Sequence, residues 1–527
     1  MTKPPDIVFI VLDTQRADRL GCYGNKRGLT PNLDRFATQG TLFERAVSPA
    51  QWTIPSHASF FSGLYPTAHQ VTQSNHSLSP DVPHLAEVLR DSGYQTVGFC
   101  NNPLVGILNN GFKRGFQTFY NYGGAIPRVP QHSSSLPWPL SRLSEAYTQF
   151  LRRISYPIQN FFGRSDLAFR LSLNAWMTPL WSRFANFKGQ NPRSVADVVE
   201  FLRRREKQQP DKPLFLFLNL METHLPFWPP GEYVDQVAPY FRQSREARNV
   251  MRRWNREAYR WAAPLPEGLS EMEQQVLNDM YDAEVAYQDD YLGQLFGALN
   301  GRSRQRDTLT VIVSDHGDGL GEHGYFGHAF VAYDELVHVP LILHWPNQLP
   351  AMRVETPVSS RRVYHTILSA AGQIAERPNL DPATVRGLSL QRTIYGPDPE
   401  QGTAFSEVYP PLNFVKAIEQ RSPQLLDDFR CLALRRAVVK PDEQRQPLKL
   451  ITVDETAAEL FDLQQDPLES DNILETRPET AVQLTNEIQR MTSQSQRRQE
   501  QLTAGRTIDL DKDSQLMERL RGLGYLD

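Results

Sequence analysis

Four stretches of the chain carry residue types whose spacing could do chemistry. In QWTIPSHASFFSGLYP, residues 51–66, Thr53 stands two places ahead of Pro55. Proline fixes φ and lacks an N–H, which suits the first turn of a helix that can then run to Gly63. Free N–H groups and the positive end of the dipole would face whatever the Thr53 hydroxyl meets, so one turn of chain supplies both a nucleophile and an anion site. Taken alone, the same residues also read as a surface loop with a threonine cap. What lifts them above that reading is the placing of acids and histidines elsewhere. IVFIVL, residues 7–12, is an apolar run ending in Asp13, and TLTVIVS, residues 308–314, ends in Asp315-His316-Gly317-Asp318-Gly319. Adjacent aspartate and histidine at a strand end, with glycines that let backbone come close, point to a metal site. PLFLFLNLM, residues 213–221, runs into Thr223-His224-Leu225-Pro226. His224 is either a structural histidine or a proton-transfer group held by the proline-rich turn that follows it.

The elements that must position these residues are strands buried on both faces, because continuous apolar runs mark the inner strands of parallel sheets. Ligands of open α/β sheets bind at the carboxyl ends of such strands, and Asp13, His224 and Asp315 all follow one directly. Asp18 reads as a structural partner. Helices alternate with the strands: Thr30-Pro31 starts one, residues 83–92 form an amphipathic one stopped by Gly93, and residues 270–300 form a long one. Strands are expected at 94–100 and 339–344, and a helix at 361–371. Asn101-Asn102 directly follows the first of these strands, where turn chemistry is one reading and an asparagine facing the site is the other. The fold class is therefore α/β, a large mostly parallel sheet flanked by helices. Residues 1–400 form the catalytic unit, with an aromatic-rich helical insertion at about 125–191. Residues 401–527 form a smaller unit whose strands, at 404–408, 432–439, 448–453 and 459–463, lack intervening helices and suit an antiparallel sheet.

At 527 residues, 40% hydrophobic and 22% charged, the chain has an ordinary globular composition and is too long for one core. Its three cysteines, Cys22, Cys100 and Cys431, are far apart, which excludes a disulfide framework and a cysteine zinc site and fits a reducing compartment. No charged leader and no run of about 18 apolar residues is seen, so the expectation is a cytoplasmic protein. The net charge of −4 is unevenly spread: residues 128–262 hold 21 Lys+Arg against 11 Asp+Glu, leaving 35 against 49 elsewhere. Between Arg142 and Lys188 there are seven Lys+Arg and two Asp+Glu. That content suits an amphiphilic anion or peripheral contact with a membrane surface, beside the plainer reading of a helical packing layer. No nucleic-acid partner is expected.

Together these residues resemble the sulfatase family of the alkaline phosphatase superfamily. VLDTQRAD places Asp13 at the family's first metal ligand, WTIPSHASFFSGLYP places Thr53 at its nucleophile, and SDHGDGLGEHG, residues 314–324, is similar to its second metal segment. Glu322, His323 and His328 continue that segment, and ELFDLQQDPLESDNI, residues 459–473, is similar to the C-terminal signature. The resemblance implies one divalent ion held by Asp13, Asp315, His316 and the Thr53 oxygen. It also implies that His57, in place of the family's arginine, steadies the substrate's oxygens, and that His224 or His328 protonates the leaving group. The departures bear on the chemistry. Family sulfatases carry cysteine or serine, converted to formylglycine, and threonine cannot become that aldehyde. Thr14 replaces the second carboxylate of the usual Asp-Asp pair. A less anionic, nitrogen-containing site favours Mn2+, Zn2+ or Mg2+ over Ca2+. The expectation is a hydrolase of the sulfatase and phosphodiesterase type acting on an anionic small-molecule or lipid-like phosphate mono- or diester, or a phosphonate ester. Sulfuric ester hydrolysis is the alternative, and a catalytically silent binding protein of the same fold is the second.

Overall fold

The structure, a computed structural model, describes residues 3–123, 188–208, 210–256, 258–302, 307–372 and 374–508. Most of the predicted insertion at 125–191 lies outside them. The principal sheet has eight strands: β1 (Asp6–Leu12), β2 (Thr41–Phe43), β3 (Gln95–Cys100), β4 (Thr118–Asn121), β5 (Leu214–Leu220), β6 (Thr308–Val313), β7 (Leu341–His344) and β8 (Met352–Val354). In space they run β8-β2-β7-β6-β1-β5-β3-β4. Strands β6, β1, β5, β3 and β4, the last of them at the edge, are mutually parallel, while β7 is antiparallel to both β6 and β2. The expected strand at 339–344 is split, because Pro340 has no N–H to give a ladder and separates His338–Val339 from β7.

Alternation along β1 divides the core. Ile7, Phe9 and Val11 belong to one apolar cluster with Phe215 and Phe217, while Val8, Ile10 and Leu12 belong to another with Leu214, Leu216 and Leu218. Helices cover both faces: α1 (Pro31–Ala37), α4 (Asn191–Gln208) and α5 (Glu271–Asn300) on the second cluster, and α2 (Thr53–Ser62), α3 (Leu85–Asp91) and α6 (Val363–Ala371) on the first. Burying each large apolar side chain of these strands contributes roughly 1.5–3 kcal/mol before the entropy of ordering is set against it. Helix α5 begins in a capping box, with the Ser270 side chain and Glu273 each accepting from the other's backbone N–H. From Ala404 a second sheet of four antiparallel strands follows: β9 (Ala404–Val408), β10 (Arg435–Pro441), β11 (Pro447–Val453) and β12 (Thr456–Asp462). Helix α7 (Pro478–Glu500) covers it through Ala481, Leu484, Ile488 and Met491.

Register fixes what happens at the carboxyl edge. Val11 lies opposite Asn219 of β5 on one side and Val313 of β6 on the other, and Asn219 lies opposite Cys100 of β3. The residues that leave these four strands, Asp13, Asn101-Asn102, Glu222-Thr223-His224 and Asp315-His316, are thereby brought to one place although hundreds of residues separate them in sequence.

Candidate active site

Asp13, Asp315 and His316 are fully buried and offer ligand atoms that all lie within 4.8 Å of one another; they are the one group of three or more such residues found among those described. Thr53 faces them, its Oγ1 3.3 Å from His316 Nε2. The helix that carries it is capped by Trp52 with no side-chain bond, so Thr53 is the first helical residue and its hydroxyl is not spent as a cap. Gly63, at φ 73°, ends the helix in the left-handed region. His316 Nδ1 donates to the Gly317 carbonyl at 2.8 Å, which fixes the tautomer and leaves Nε2 as the lone-pair atom facing Thr53 and the carboxylates.

Each carboxylate has one satisfied and one open oxygen. Asp13 Oδ2 accepts from Asn102 Nδ2 at 2.6 Å and Asn219 Nδ2 at 3.3 Å, while Oδ1 is buried with no hydrogen bond. Asp315 Oδ1 accepts from the backbone N–H of Thr14 at 3.2 Å and of His316 at 3.0 Å, while Oδ2 has no hydrogen bond and faces His57 Nδ1 at 3.3 Å. Burial first, and then the charge of Asp315, pushes Asp13 well above the usual carboxylate range. Against its own burial, Asp315 is held at about 2 by His316 and His57. Two buried carboxylates with an orphan oxygen each, beside an imidazole lone pair, make a donor set that fits a divalent cation of the oxygen-and-nitrogen type.

The predicted residues form one continuous cluster. His316 lies against His328, ring centres 4.6 Å apart, and His328 against His224 at 5.0 Å. His328 Nδ1 bonds Asp318 Oδ1 at 2.9 Å, and its Nε2 is buried with no hydrogen bond. His224 Nδ1 donates to the Leu225 carbonyl at 2.7 Å, and burial pushes its pKa well below the ordinary histidine range. His57 sits differently from its expected role toward substrate oxygens. Its Nδ1 is 3.0 Å from the Thr53 carbonyl and 3.3 Å from Asp315, and its Nε2 is 3.4 Å from Asn219 Nδ2, so both nitrogens serve the protein. Glu322 and His323 do not reach the cluster: Glu322 pairs with Arg16, and His323 with Glu335. Asp18 is a structural partner, bonded to Arg16 at 2.9 Å. Gly317 is required by protein rather than by a ligand, since a Cβ there would lie 2.0 Å from the Glu335 carbonyl oxygen.

Two asparagines outside the expected site residues shape the site. Asn219 was not singled out, although it is the one polar side chain of the LFLFLNL strand. Asn102 carried both readings, a turn residue and an asparagine facing the site, and the structure gives it both tasks: it caps the short helix after β3, bonding the Leu104 N–H at 2.8 Å, and the same side chain holds Asp13.

The sulfatase family profile matches residues 5–373, and the chain belongs to that family. It is similar to YidJ, an uncharacterized sulfatase of Escherichia coli strain K12, at 24% identity over 386 residues, covering 72% of this chain and 70% of that protein. It is similar to an arylsulfatase of Clostridium perfringens strain 13 at 26% identity over 356 residues, covering 66% and 69%. Among solved structures, the phosphonate monoester hydrolase of Agrobacterium radiobacter superposes with a TM-score of 0.62 at 19% identity, covering 93% of this chain and 96% of that one. The corresponding enzyme of Silicibacter pomeroyi gives 0.62 at 20% identity, covering 93% and 96%. At those identities the structural likeness speaks to the fold, a mostly parallel α/β sheet with a small antiparallel C-terminal sheet. Among the described residues, no helix is long and apolar enough to cross a membrane.

Proposed function

We propose that the chain hydrolyses a phosphate or phosphonate ester through a covalent ester on Thr53. The observation that carries this reading is the Thr53 hydroxyl, uncapped at the head of its helix and 3.3 Å from His316 Nε2 beside the Asp13–Asp315 pair. A threonine has no aldehyde hydrate with which to expel sulfate from its own carbon, so its ester must be released by a second attack at the central atom, the usual route of phosphoryl transfer.

Asp13, Asp315 and His316 would hold the divalent ion. When bound, it supplies Lewis-acid withdrawal of charge from the ester and eases ionisation of a neighbouring hydroxyl. In the first half-reaction the Thr53 Oγ–phosphorus bond forms in line as the phosphorus–oxygen bond to the alcohol breaks. The hydroxyl proton passes to solvent, and His328 Nε2–H protonates the departing oxygen. In the second half a water oxygen attacks phosphorus, one of its protons passes to His328 Nε2, and Thr53 Oγ departs and takes back from solvent the proton it gave up in the first half. His328 is preferred to His224 as the acid because Asp318 accepts from its Nδ1 and orients the ring while its Nε2 has no hydrogen-bond partner among the described residues, whereas burial pushes His224 well below the ordinary histidine range. His57 keeps Asp315 and the Thr53 turn in place. The substrate class is an anionic ester. Membrane contact through residues 125–191 remains part of the proposal, to be tested by co-sedimentation with anionic vesicles at low salt.

The names of the relatives, arylsulfatase among them, favour sulfate ester hydrolysis as the second reading. The deciding experiment compares kcat/KM for matched aryl phosphate, phosphonate and sulfate esters, each tenfold ratio being about 1.4 kcal/mol of differential transition-state stabilisation. Phosphorus esters should win, Thr53→Ala should be inactive, Thr53→Ser should retain part of the rate, and acid quenching during turnover should trap a phosphorylated Thr53 peptide. A sulfate ester turned over faster than every phosphorus ester, or an undiminished Thr53→Ala enzyme, defeats the reading.

A further inference from the structure

Two buried carboxyls meet at the root of the turn that leaves β5. Glu222, just beyond that strand, is 7% exposed, and Glu284 of α5 is 1% exposed. The two side chains are bonded to each other. Ionised carboxylates only accept, so a bond between two of them exists only where one keeps its proton. The remaining contacts show which one keeps it. Glu284 Oε1 accepts from the Lys188 ammonium and from the Trp228 N–H at 2.7 Å, as a carboxylate would, while its Oε2 is buried and needs a donor. Glu222 Oε2 accepts from two neutral groups, Asn191 Nδ2 at 3.0 Å and the Tyr291 hydroxyl at 3.3 Å. The proton therefore belongs to Glu222 and serves the open oxygen of Glu284. Burial first, and then the charge of Glu284, pushes the Glu222 carboxyl up to about 8.

The same groups hold both ends of the turn 222–228. Lys188 Nζ donates to the Glu222 carbonyl at 3.0 Å as well as to Glu284, and Glu284 takes the Trp228 N–H, so this ion pair bridges the first and last residues of the turn. Asn191 Oδ1 accepts from the Met221 N–H at 2.8 Å. Between the ends, the Thr223 hydroxyl donates to the Asp13 carbonyl at 2.8 Å, and Phe227 packs edge-on against Trp261 and Tyr281. The titratable groups around Glu222 are Glu284, Tyr287 and Tyr291 of α5, Lys188 ahead of α4 and His224 on the turn itself, with Tyr233 and Glu232 beyond Tyr287. Burial and the two carboxyls keep both tyrosines of α5 neutral. With Glu222 protonated, the group holds one negative and one positive charge. With Glu222 ionised, two buried carboxylates share one ammonium, which leaves a buried charge without a partner.

We infer that Glu222 and Glu284 form a proton-sharing pair that acts as a pH-sensitive catch on the 222–228 turn. While the proton is held, the turn is closed beside the active site; its loss at alkaline pH loosens the two ends and lowers activity. An isolated glutamate titrates near 4.5, so between that value and about 8 the folded chain holds a proton that the unfolded chain has released. Stability therefore falls as pH climbs through this window, and the pair adds no further fall above it.

The test uses the full chain with Mn2+ and the variants Glu222→Gln and Glu284→Gln. Glutamine at position 222 offers a permanent N–H to Glu284 and an oxygen to Asn191 and Tyr291, so it copies the protonated acid at every pH. In chemical denaturation from pH 5.5 to 9, the Glu222→Gln midpoint should rise relative to wild type as pH climbs to about 8, a difference from which the titration of His323, common to both, cancels. A carboxyl at about 8 is roughly nine-tenths protonated at pH 7 and roughly a quarter at pH 8.5. For an aryl phosphate or sulfate, whichever is turned over, the ratio of kcat/KM at pH 8.5 to that at pH 7 should therefore be about two- to fourfold higher in Glu222→Gln than in wild type. If Glu222→Gln does not fold, Glu284→Gln decides by the same profiles, because Glu222 beside Lys188 and without a second carboxylate returns toward its ordinary value. Parallel denaturation profiles overturn the shared proton and the catch with it. Diverging profiles with equal kcat/KM ratios overturn the catch.

Discussion

Replacing Asn219 by leucine keeps the branched shape of the side chain, with some added bulk, and removes an amide that works in two directions. Its Nδ2 donates to Asp13 Oδ2 at 3.3 Å and lies 3.4 Å from His57 Nε2, while its Oδ1 accepts from the Asn102 N–H at 3.0 Å. Asn102 is the other donor to Asp13, at 2.6 Å. The substitution therefore strips one bond from the ligand and loosens the residue that makes the other. A hydrogen bond to a charged group contributes about 1.5–3 kcal/mol, and the length of the Asn219 bond places it at the low end. The Asn102 N–H, left in a buried site without its acceptor, adds a further cost of about 1–3 kcal/mol to folding. Loss of an outer partner of a metal ligand weakens binding roughly 10–100-fold, about 1.4–2.8 kcal/mol. Mn2+ titration followed by calorimetry should show that weakening, and kcat/KM at subsaturating Mn2+ should fall with it and recover in part when the metal is raised. Mn2+ affinity within threefold of wild type, with only the unfolding midpoint lowered, would mean that Asn219 serves the sheet and not the ligand.

Asp13→Asn should leave the metal-free protein as stable as wild type or more so, because it removes a buried carboxylate that burial and Asp315 both disfavour. The same variant should lose the rise in unfolding midpoint that Mn2+ gives wild type, and a preserved rise would remove Asp13 from the ligand set. His323 gives a pH dependence. Its folded pKa is raised from the ordinary 6.5 to about 9, so its contribution is complete below about pH 6.5 and is lost as pH climbs through 9. The full shift corresponds to an upper bound of about 3 kcal/mol, reduced by the partial exposure of the ring. Chemical denaturation between pH 6.5 and 9.5 should show stability falling in wild type and a flatter profile in His323→Gln; parallel profiles would contradict the assignment.

What was legible in the sequence followed from local physics. A strand buried on both faces must be apolar throughout, so IVFIVL, LFLFLNL and TLTVIV announced themselves, and the residue after each fell at a known edge of the sheet. The Thr53 helix was legible because proline and glycine punctuate its two ends. Illegible were the relations set by strand order. Nothing near Asn219 tells that its neighbours are Val11 and Cys100, and only that register turns one polar residue of a hydrophobic strand into a clamp on Asp13. His57 was read by analogy with an arginine that reaches substrate, but the carboxylate that engages it, Asp315, lies far along the chain. His323 was grouped with the metal segment by proximity in sequence. Its backbone at φ 53°, in the left-handed region, lies where the chain leaves the cluster for Glu335 and Glu469.

The Thr14 position shows why a departure from a family pattern has to be read in three dimensions. Counted as sequence, Thr14 is a missing carboxylate. In the structure it adopts φ 59°, an uncommon conformation for a β-branched residue, and its backbone N–H donates to Asp315 Oδ1. Its hydroxyl donates to the Asp13 carbonyl at 2.6 Å and lies 3.3 Å from the Thr223 hydroxyl, which donates to that same carbonyl at 2.8 Å. A carboxylate in that orientation would confront the Asp13 carbonyl oxygen with no proton to share, so an aspartate here would have to turn toward the cluster and bring a further negative charge with it. Threonine satisfies the turn and keeps the cluster at two carboxylates. With fewer negative charges around a bound cation, the site would repel a dianionic phosphate monoester less, so position 14 supports the proposed phosphorus ester through charge for the monoester alone, while position 53 supports it for every phosphorus ester through the route by which the ester is released.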